Sequence, residues 1–316
     1  MTAQIPAPAI ELHGLHKQFG RTDALRSINL SVPTNCVFGF LGPNGAGKTT
    51  TMKILVGLLR PTGGSASVMG HDVARDGLEA RATIGYLPQD ASYWRHLTVR
   101  GVLAFTAQRY LDLSRRELRT QVDEIIELAG LGKLSDRRVG KLSGGERQRL
   151  GVAEAWIGRP DVLILDEPSA GLDPEGRREV LDLLDRLREY ATIVYSTHIL
   201  DDVERIADQM AIINHGSIVA EGPVDSFLLG SNAVYSVTVD GAGGEAINTL
   251  RGKPWVDSIE QRSDGRIEIA VNDRKEAEHG LLRAFVEGGD RVTDFRSVRR
   301  SLEDTYLDLV GADHDG

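Results

Sequence analysis

A chain of 316 residues can hold one large domain and a smaller one, and 41% hydrophobic with 26% charged residues is an ordinary globular composition. The formal net charge of −9 disfavours sequence-independent nucleic-acid binding, which runs on Lys and Arg neutralising phosphates; a nucleotide met by a local site stays admissible. The single cysteine, Cys36, excludes a disulfide framework or a Cys-based metal site within one chain, and its apolar setting in TNCVFGFLG marks it as a small core residue.

The opening MTAQIPAPAIELHGL has no basic segment followed by an apolar core, so no secretory signal is expected. AIELHGLHKQFG and ALRSINLSV read as two strands of an antiparallel piece, which places His13 and His16 on opposite faces, without a role. VFGFLGPNGAGKTTTMKILVGLL reads as strand, glycine loop and helix, and SASVMGHDV as a further short strand and turn. From Leu97 to Gly140 the spacing is helical with almost no strand signal. DVLILDEP is then a buried parallel strand, PEGRREVLDLLDRLREY an amphipathic helix, TIVYSTH the next strand, and MAIINHGSIVAEG a hairpin turning at His215-Gly216. Strands alternating with helices imply a mainly parallel sheet, an α/β class. A boundary is expected at Leu228–Val234. Beyond it the order βαββαβ predicts a ferredoxin-like unit. A last helix, SLEDTYLDLVG, has a Ser301-x-x-Asp304 start, and ADHDG a frayed end. The longest apolar runs, VLIL and TIVY, fall far short of the ~20 residues that cross a bilayer.

Gly42–Thr49, GPNGAGKT, fits G-x-x-x-x-G-K-[ST] in the context that pattern needs, with an apolar strand before and a helix after. Its glycines let backbone N–H groups turn towards phosphates, and the helix N-terminus faces the same charge. Gly42, Pro43, Asn44, Gly45, Ala46, Gly47, Lys48, Thr49 and Thr50 are therefore candidate nucleotide-binding residues. Lys48 is expected to reach the β- and γ-phosphates and the Thr49 hydroxyl to ligate Mg²⁺. VLILDE ends an apolar strand in two acids, costly to bury unless a cation or water meets them. Asp166 is the candidate Mg²⁺ ligand, mostly through water, and Glu167 the residue that polarises the attacking water.

GPNGAGKTT, LSGGERQRL, LILDEP, SAGLDP and STH, in this order, resemble the ATP-binding-cassette (ABC) ATPases over roughly Ile10 to Leu228. The resemblance implies a P-loop NTPase with a mainly parallel sheet, an antiparallel β piece and a helical subdomain at about 90–150. The cassette domain is expected at 8–230 and a ferredoxin-like accessory domain at 233–311. Phe19 matches the aromatic that stacks on adenine, with a plain core aromatic as its other reading. Gln89 matches the glutamine that touches Mg²⁺ and relays to a membrane partner, Asp173 the loop that crosses to another subunit, and His198 the γ-phosphate contact. Trp156 departs from the smaller aliphatic usual in the family. The tail resembles that of exporter ATPases for drugs, sodium or polysaccharides, as a regulator or brace of a dimer or as a packing appendage.

The expected activity is ATP hydrolysis powering transport, with export favoured, through a separate membrane-spanning permease. The chain would sit on the cytoplasmic face of the cell membrane, and no nucleic acid is expected as partner. The residues near Gln89 and the segment DASYWRHLTV are the expected permease contact; a Tyr93-Trp94 pair there suits an interface if exposed, with burial under the helical subdomain as its other reading. A soluble cassette ATPase and a non-hydrolysing scaffold are the competing classes; intact Glu167 and His198 argue against the latter. Ser143 and Glu146 form a capping box, but such a box does not need glycine at both intervening positions, each costing about 1 kcal/mol inside a helix. Gly144 and Gly145 therefore imply a close approach to the backbone. With Ser143 they would complete the site of a second cassette subunit, binding the γ-phosphate held by that subunit's P-loop lysine.

Overall fold

The computed structural model describes residues 8–229, 233–240, 244–262, 265–298 and 302–311. It divides into two units, Met1–Val224 and Asp225–Gly316. The expected Ser301 helix start and the ADHDG end lie outside the described residues.

In the first unit, β1 (Ile10–Phe19) and β2 (Thr22–Val32) pair antiparallel. After β3 (Val37–Leu41) and α1 (Lys48–Leu55), β4 (Gly63–Val68) and β5 (His71–Asp72) complete a four-stranded sheet in the order β2-β1-β4-β5. Gly14, with φ of +55°, makes a bulge across which the register shifts. Leu12 and Leu15, three residues apart, are consequently both buried. The strict alternation that put His13 and His16 on opposite faces is broken there. His13 is exposed, and His16 pairs with Asp23 at 3.1 Å.

Next come α2 (Gly77–Ala82), β6 (Ile84–Leu87), α3 (Val99–Tyr110), α4 (Arg115–Leu128) and α5 (Gly144–Trp156). They are followed by β7 (Val162–Asp166), α6 (Pro174–Leu187), β8 (Thr192–Thr197), α7 (Leu200–Ile206), β9 (Gln209–Asn214) and β10 (Ser217–Pro223), after which α8 (Val224–Leu229) begins at the last residue of this unit and runs into the second. Six strands form one sheet in the order β10-β9-β3-β8-β7-β6, parallel except for the β9–β10 hairpin. Every residue of β3, β7 and β8 is buried, as expected of strands covered on both faces. α1 stops earlier than its apolar pattern, because Gly57 turns left-handed with φ of +74°. Trp156 is buried against Tyr190, their rings tilted with centroids 6.2 Å apart. Burial, with the Asp208 charge adding to it, pushes the Cys36 thiol up to about 11.

The second unit holds β11 (Ala233–Asp240), α9 (Gly244–Arg251), β12 (Val256–Gln261), β13 (Arg266–Val271), α10 (Arg274–Glu287), β14 (Arg291–Val298) and α11 (Leu302–Gly311). The antiparallel order β12-β13-β11-β14 is that of the split βαβ unit. Its core joins Ala246, Leu250, Leu281 and Phe285 of the helices to Val237 and Ile269 of the sheet.

Candidate functional site

α3, α4, α5 and α6 each close their first turn with a side chain of their own, from Thr98, Ser114, Ser143 and Asp173. α1 does not. It begins at Gly47, with φ of +116°, and has neither a capping side chain nor an acid in its first turn. Its first amide donors and positive dipole end suit an anion. The loop ahead of it is braced from behind: Ala46 O accepts from Gly216 N at 3.0 Å, and a Cβ on Gly47 would meet Leu25 at 2.7 Å and Ala24 O at 2.8 Å. Glycine is required at position 47 by both its φ and that approach.

Lys48 folds over this loop. Its Nζ donates to Gly42 O at 2.6 Å and Pro43 O at 3.2 Å and lies 3.1 Å from Glu167 Oε1, with both side chains buried. Glu167 Oε2 in turn lies 2.9 Å from His198 Nδ1, whose ring is 44% exposed. One carboxylate thus bridges a buried ammonium and an imidazole at the surface. Glu167 has a φ of +53°, a left-handed conformation that costs a non-glycine residue about 1–3 kcal/mol. Its N–H donates to Ser196 Oγ at 2.9 Å, which helps hold that conformation.

Asp166 is fully buried at the end of β7. Its Oδ1 accepts from Ser196 Oγ at 2.6 Å and Thr49 Oγ1 at 3.1 Å, whereas its buried Oδ2 has no hydrogen-bond partner. A buried carboxylate oxygen without a partner is costly, and beside a hydroxyl it suits a hard cation. Burial, and secondarily the Asp166 charge, pushes the Tyr86 phenol up to about 12. Among the described residues no three His, Cys, Asp or Glu side chains cluster as a metal cage. One buried carboxylate beside a hydroxyl is compatible with an ion such as Mg²⁺, which takes one or two carboxylates and completes its shell with phosphates and water.

Gln89 is exposed just beyond β6, whose end lies beside that of β7. Phe19 closes β1 and is 48% exposed, with Lys17 Nζ 4.9 Å from its ring centroid; the core-aromatic reading does not hold.

Ser143, Gly144 and Asp173 form a second, exposed group at the N-termini of α5 and α6. Ser143 Oγ accepts from Glu146 N at 3.1 Å and Glu146 Oε2 from Ser143 N at 2.8 Å, so the capping box is complete. Asp173 Oδ1 accepts from Gly176 N at 3.0 Å. The two glycines differ. A Cβ on Gly145 would stand 2.8 Å from Gly176 Cα, whereas one on Gly144 would meet only Leu172 at 3.2 Å. Helix packing accounts for Gly145, leaving Gly144 as the open backbone.

Tyr93 and Trp94 do not form one exposed pair. Burial raises the Tyr93 phenol, which bonds Glu154 on α5. Trp94 stands 58% exposed, edge-on to Phe105 at 5.3 Å. Ser196 is the residue that sequence reasoning missed; a serine directly after the apolar IVY was its signal.

Residues 25–170 match the family model described as ABC transporter. The chain is 35% identical over 304 residues to the uncharacterized ABC transporter ATP-binding protein YxlF of Bacillus subtilis, covering 96% of this chain and all of that one. It is 36% identical over 312 residues to the daunorubicin/doxorubicin resistance ATP-binding protein DrrA of Streptomyces peucetius, covering 97% and 93%. The dimeric bacterial ABC transporter cassette MJ0796 superposes with a TM-score of 0.62 at 25% identity, over 68% of this chain and 98% of that one. These likenesses cover the P-loop unit and, for the two relatives, the C-terminal unit as well. The chain belongs to the ATP-binding proteins of ABC transporters, as an ATPase cassette extended by a C-terminal α/β unit.

Proposed function

We propose that the chain powers export through a separate membrane-spanning permease, hydrolysing ATP in two sites that close between two cassette subunits. The observation that carries the reading is the bridging of Lys48 and His198 by Glu167 beside the Thr49–Asp166 pair. The relatedness to DrrA, a resistance protein by name, favours export, and the dimeric MJ0796 cassette favours two subunits.

ATP would enter with its phosphates on the amides of Gly45–Thr50 and its adenine against Phe19. Lys48 Nζ would then exchange Glu167 for β- and γ-phosphate oxygens. Glu167 is thereby released to accept the proton of a water whose oxygen attacks the γ-phosphorus as the bond to the β–γ bridging oxygen breaks. His198 would hold a γ-phosphate oxygen and keep Glu167 oriented. Mg²⁺, held by Thr49, Asp166 through water, and Gln89, would neutralise charge on the β- and γ-phosphates. Ser143 and Gly144 would meet the γ-phosphate bound by the partner subunit, and Asp173 would cross to it.

Among the described residues no helix is long and apolar enough to cross a membrane. Gln89, Trp94 and Phe105 are the proposed permease contact, which would put the cassette on the cytoplasmic membrane face. The test is Glu167→Gln: turnover should vanish while ATP now holds a stable dimer, read by size-exclusion chromatography with light scattering. An unchanged hydrolysis rate would overturn the assignment of Glu167.

A further inference from the structure

Asp202, on α7, is 0% exposed, and no step above uses it. Its Oδ2 accepts from Ser169 Oγ and its Oδ1 from Arg177 Nε, while its backbone carbonyl accepts from Tyr195 OH at 3.0 Å. Arg177 also reaches Asp201 at 3.6 Å. The three donors come from three separate segments. Ser169 lies two residues beyond Glu167, Arg177 four beyond Asp173, and Tyr195 three before His198. Asp202 itself lies four beyond His198.

A carboxylate removed from water survives only if its lone pairs are filled and its charge is met. The Asp202 carboxylate therefore prefers the one arrangement in which the Ser169 and Arg177 segments are both in place, while Tyr195 anchors the Asp202 backbone beside His198. Moving either of those two segments strips a partner from the buried carboxylate, so the preference is steep. The Asp173 end of this network leads into an exposed helix N-terminus, and the Ser169 end leads back to Glu167 in its left-handed conformation.

We propose that Asp202 is a positioning residue that fixes the Glu167, Asp173 and His198 segments relative to one another. The proposal rests on the assignment of those residues made above. It predicts an effect on kcat at nearly constant KM for ATP, because the P-loop amides that bind the phosphates are not in the network.

Four variants test it, each with ATP as the probe and with kcat, KM and Tm measured in parallel. Ser169→Ala removes one hydroxyl and keeps the Asp202–Arg177 pair; kcat should fall about 10-fold, with KM within about twofold. Asp202→Asn should lower kcat by roughly 10- to 100-fold. The double variant Asp202→Leu with Arg177→Met removes both charges together and should regain most of the Tm lost by Asp202→Asn, yet leave kcat low. Recovery of kcat along with Tm would make the network merely structural and overturn the proposal, as would wild-type kcat in Ser169→Ala. If the double variant does not fold, the kcat of Ser169→Ala decides alone. Glu167→Gln separates the underlying reading: turnover retained there sinks the site assignment itself, whereas turnover lost there with full kcat in the Asp202 variants sinks only the positioning role.

Discussion

Gly145 and Gly176 face each other so closely that a Cβ on the first would stand 2.8 Å from the Cα of the second. The N-terminal turns of α5 and α6 touch backbone to backbone, and the exposed Ser143 and Asp173 are set by that contact. Gly145→Ala must push the helices apart and should cost about 1–3 kcal/mol, read as a lower Tm and denaturant midpoint. Gly144→Ala meets only the Leu172 side chain, which can rotate away. It should fold with nearly wild-type Tm and lose ATP-driven dimerisation. Equal Tm losses in both would remove the distinction.

Much of this was legible because local chemistry decided it. The apolar runs of β3 and β7, the glycine pattern of Gly42–Thr49 and the Ser143–Glu146 box are each set by residues close in sequence. β6 and α7, four and seven residues long, are too short for a period to register. The Gly14 bulge is a single φ that resets every residue after it. The glycines at 144 and 145 look equivalent in sequence, and only the approach of α6 separates them. Likewise Ser196, Ser169 and Asp202 gain their meaning from partners about thirty residues away.

Glu167 holds the buried Lys48 ammonium at 3.1 Å. Glu167→Gln leaves that charge facing a neutral amide, at a cost of up to about 3–5 kcal/mol when a buried pair is cut. The variant should therefore melt below the wild type when no nucleotide is added. ATP brings phosphate oxygens to Lys48, so the gap should close or reverse with ATP at saturating concentration. Thermal melts of both proteins with and without ATP check this. A gap of the same size in both conditions would show that Lys48 does not exchange Glu167 for phosphate.

Glu154 ties α5 to its surroundings, accepting from Thr106 Oγ1 at 2.6 Å and bonding Tyr93. Burial raises its carboxyl above the ordinary value of 4.5, and the bonds from Thr106 and Tyr93 only partly oppose this. A carboxyl with a raised folded-state pKa binds its proton more tightly in the native state than in the unfolded one. Its contribution is therefore fully present below 4.5 and is lost as pH rises through the folded value. Glu154→Gln keeps the side-chain shape, leaves the Tyr93 and Thr106 hydroxyls within reach, and removes the ionisation. Both proteins share every other carboxylate, so the difference in their Tm isolates this group. That difference should move in favour of the Gln variant as pH rises from about 4.5 and then level off once Glu154 is ionised. Melting both proteins between pH 4.5 and 8 reads the curve directly. A flat difference across that window would mean that the carboxyl is hydrated, and that Tyr93 is tied to α5 by an ordinary solvated contact.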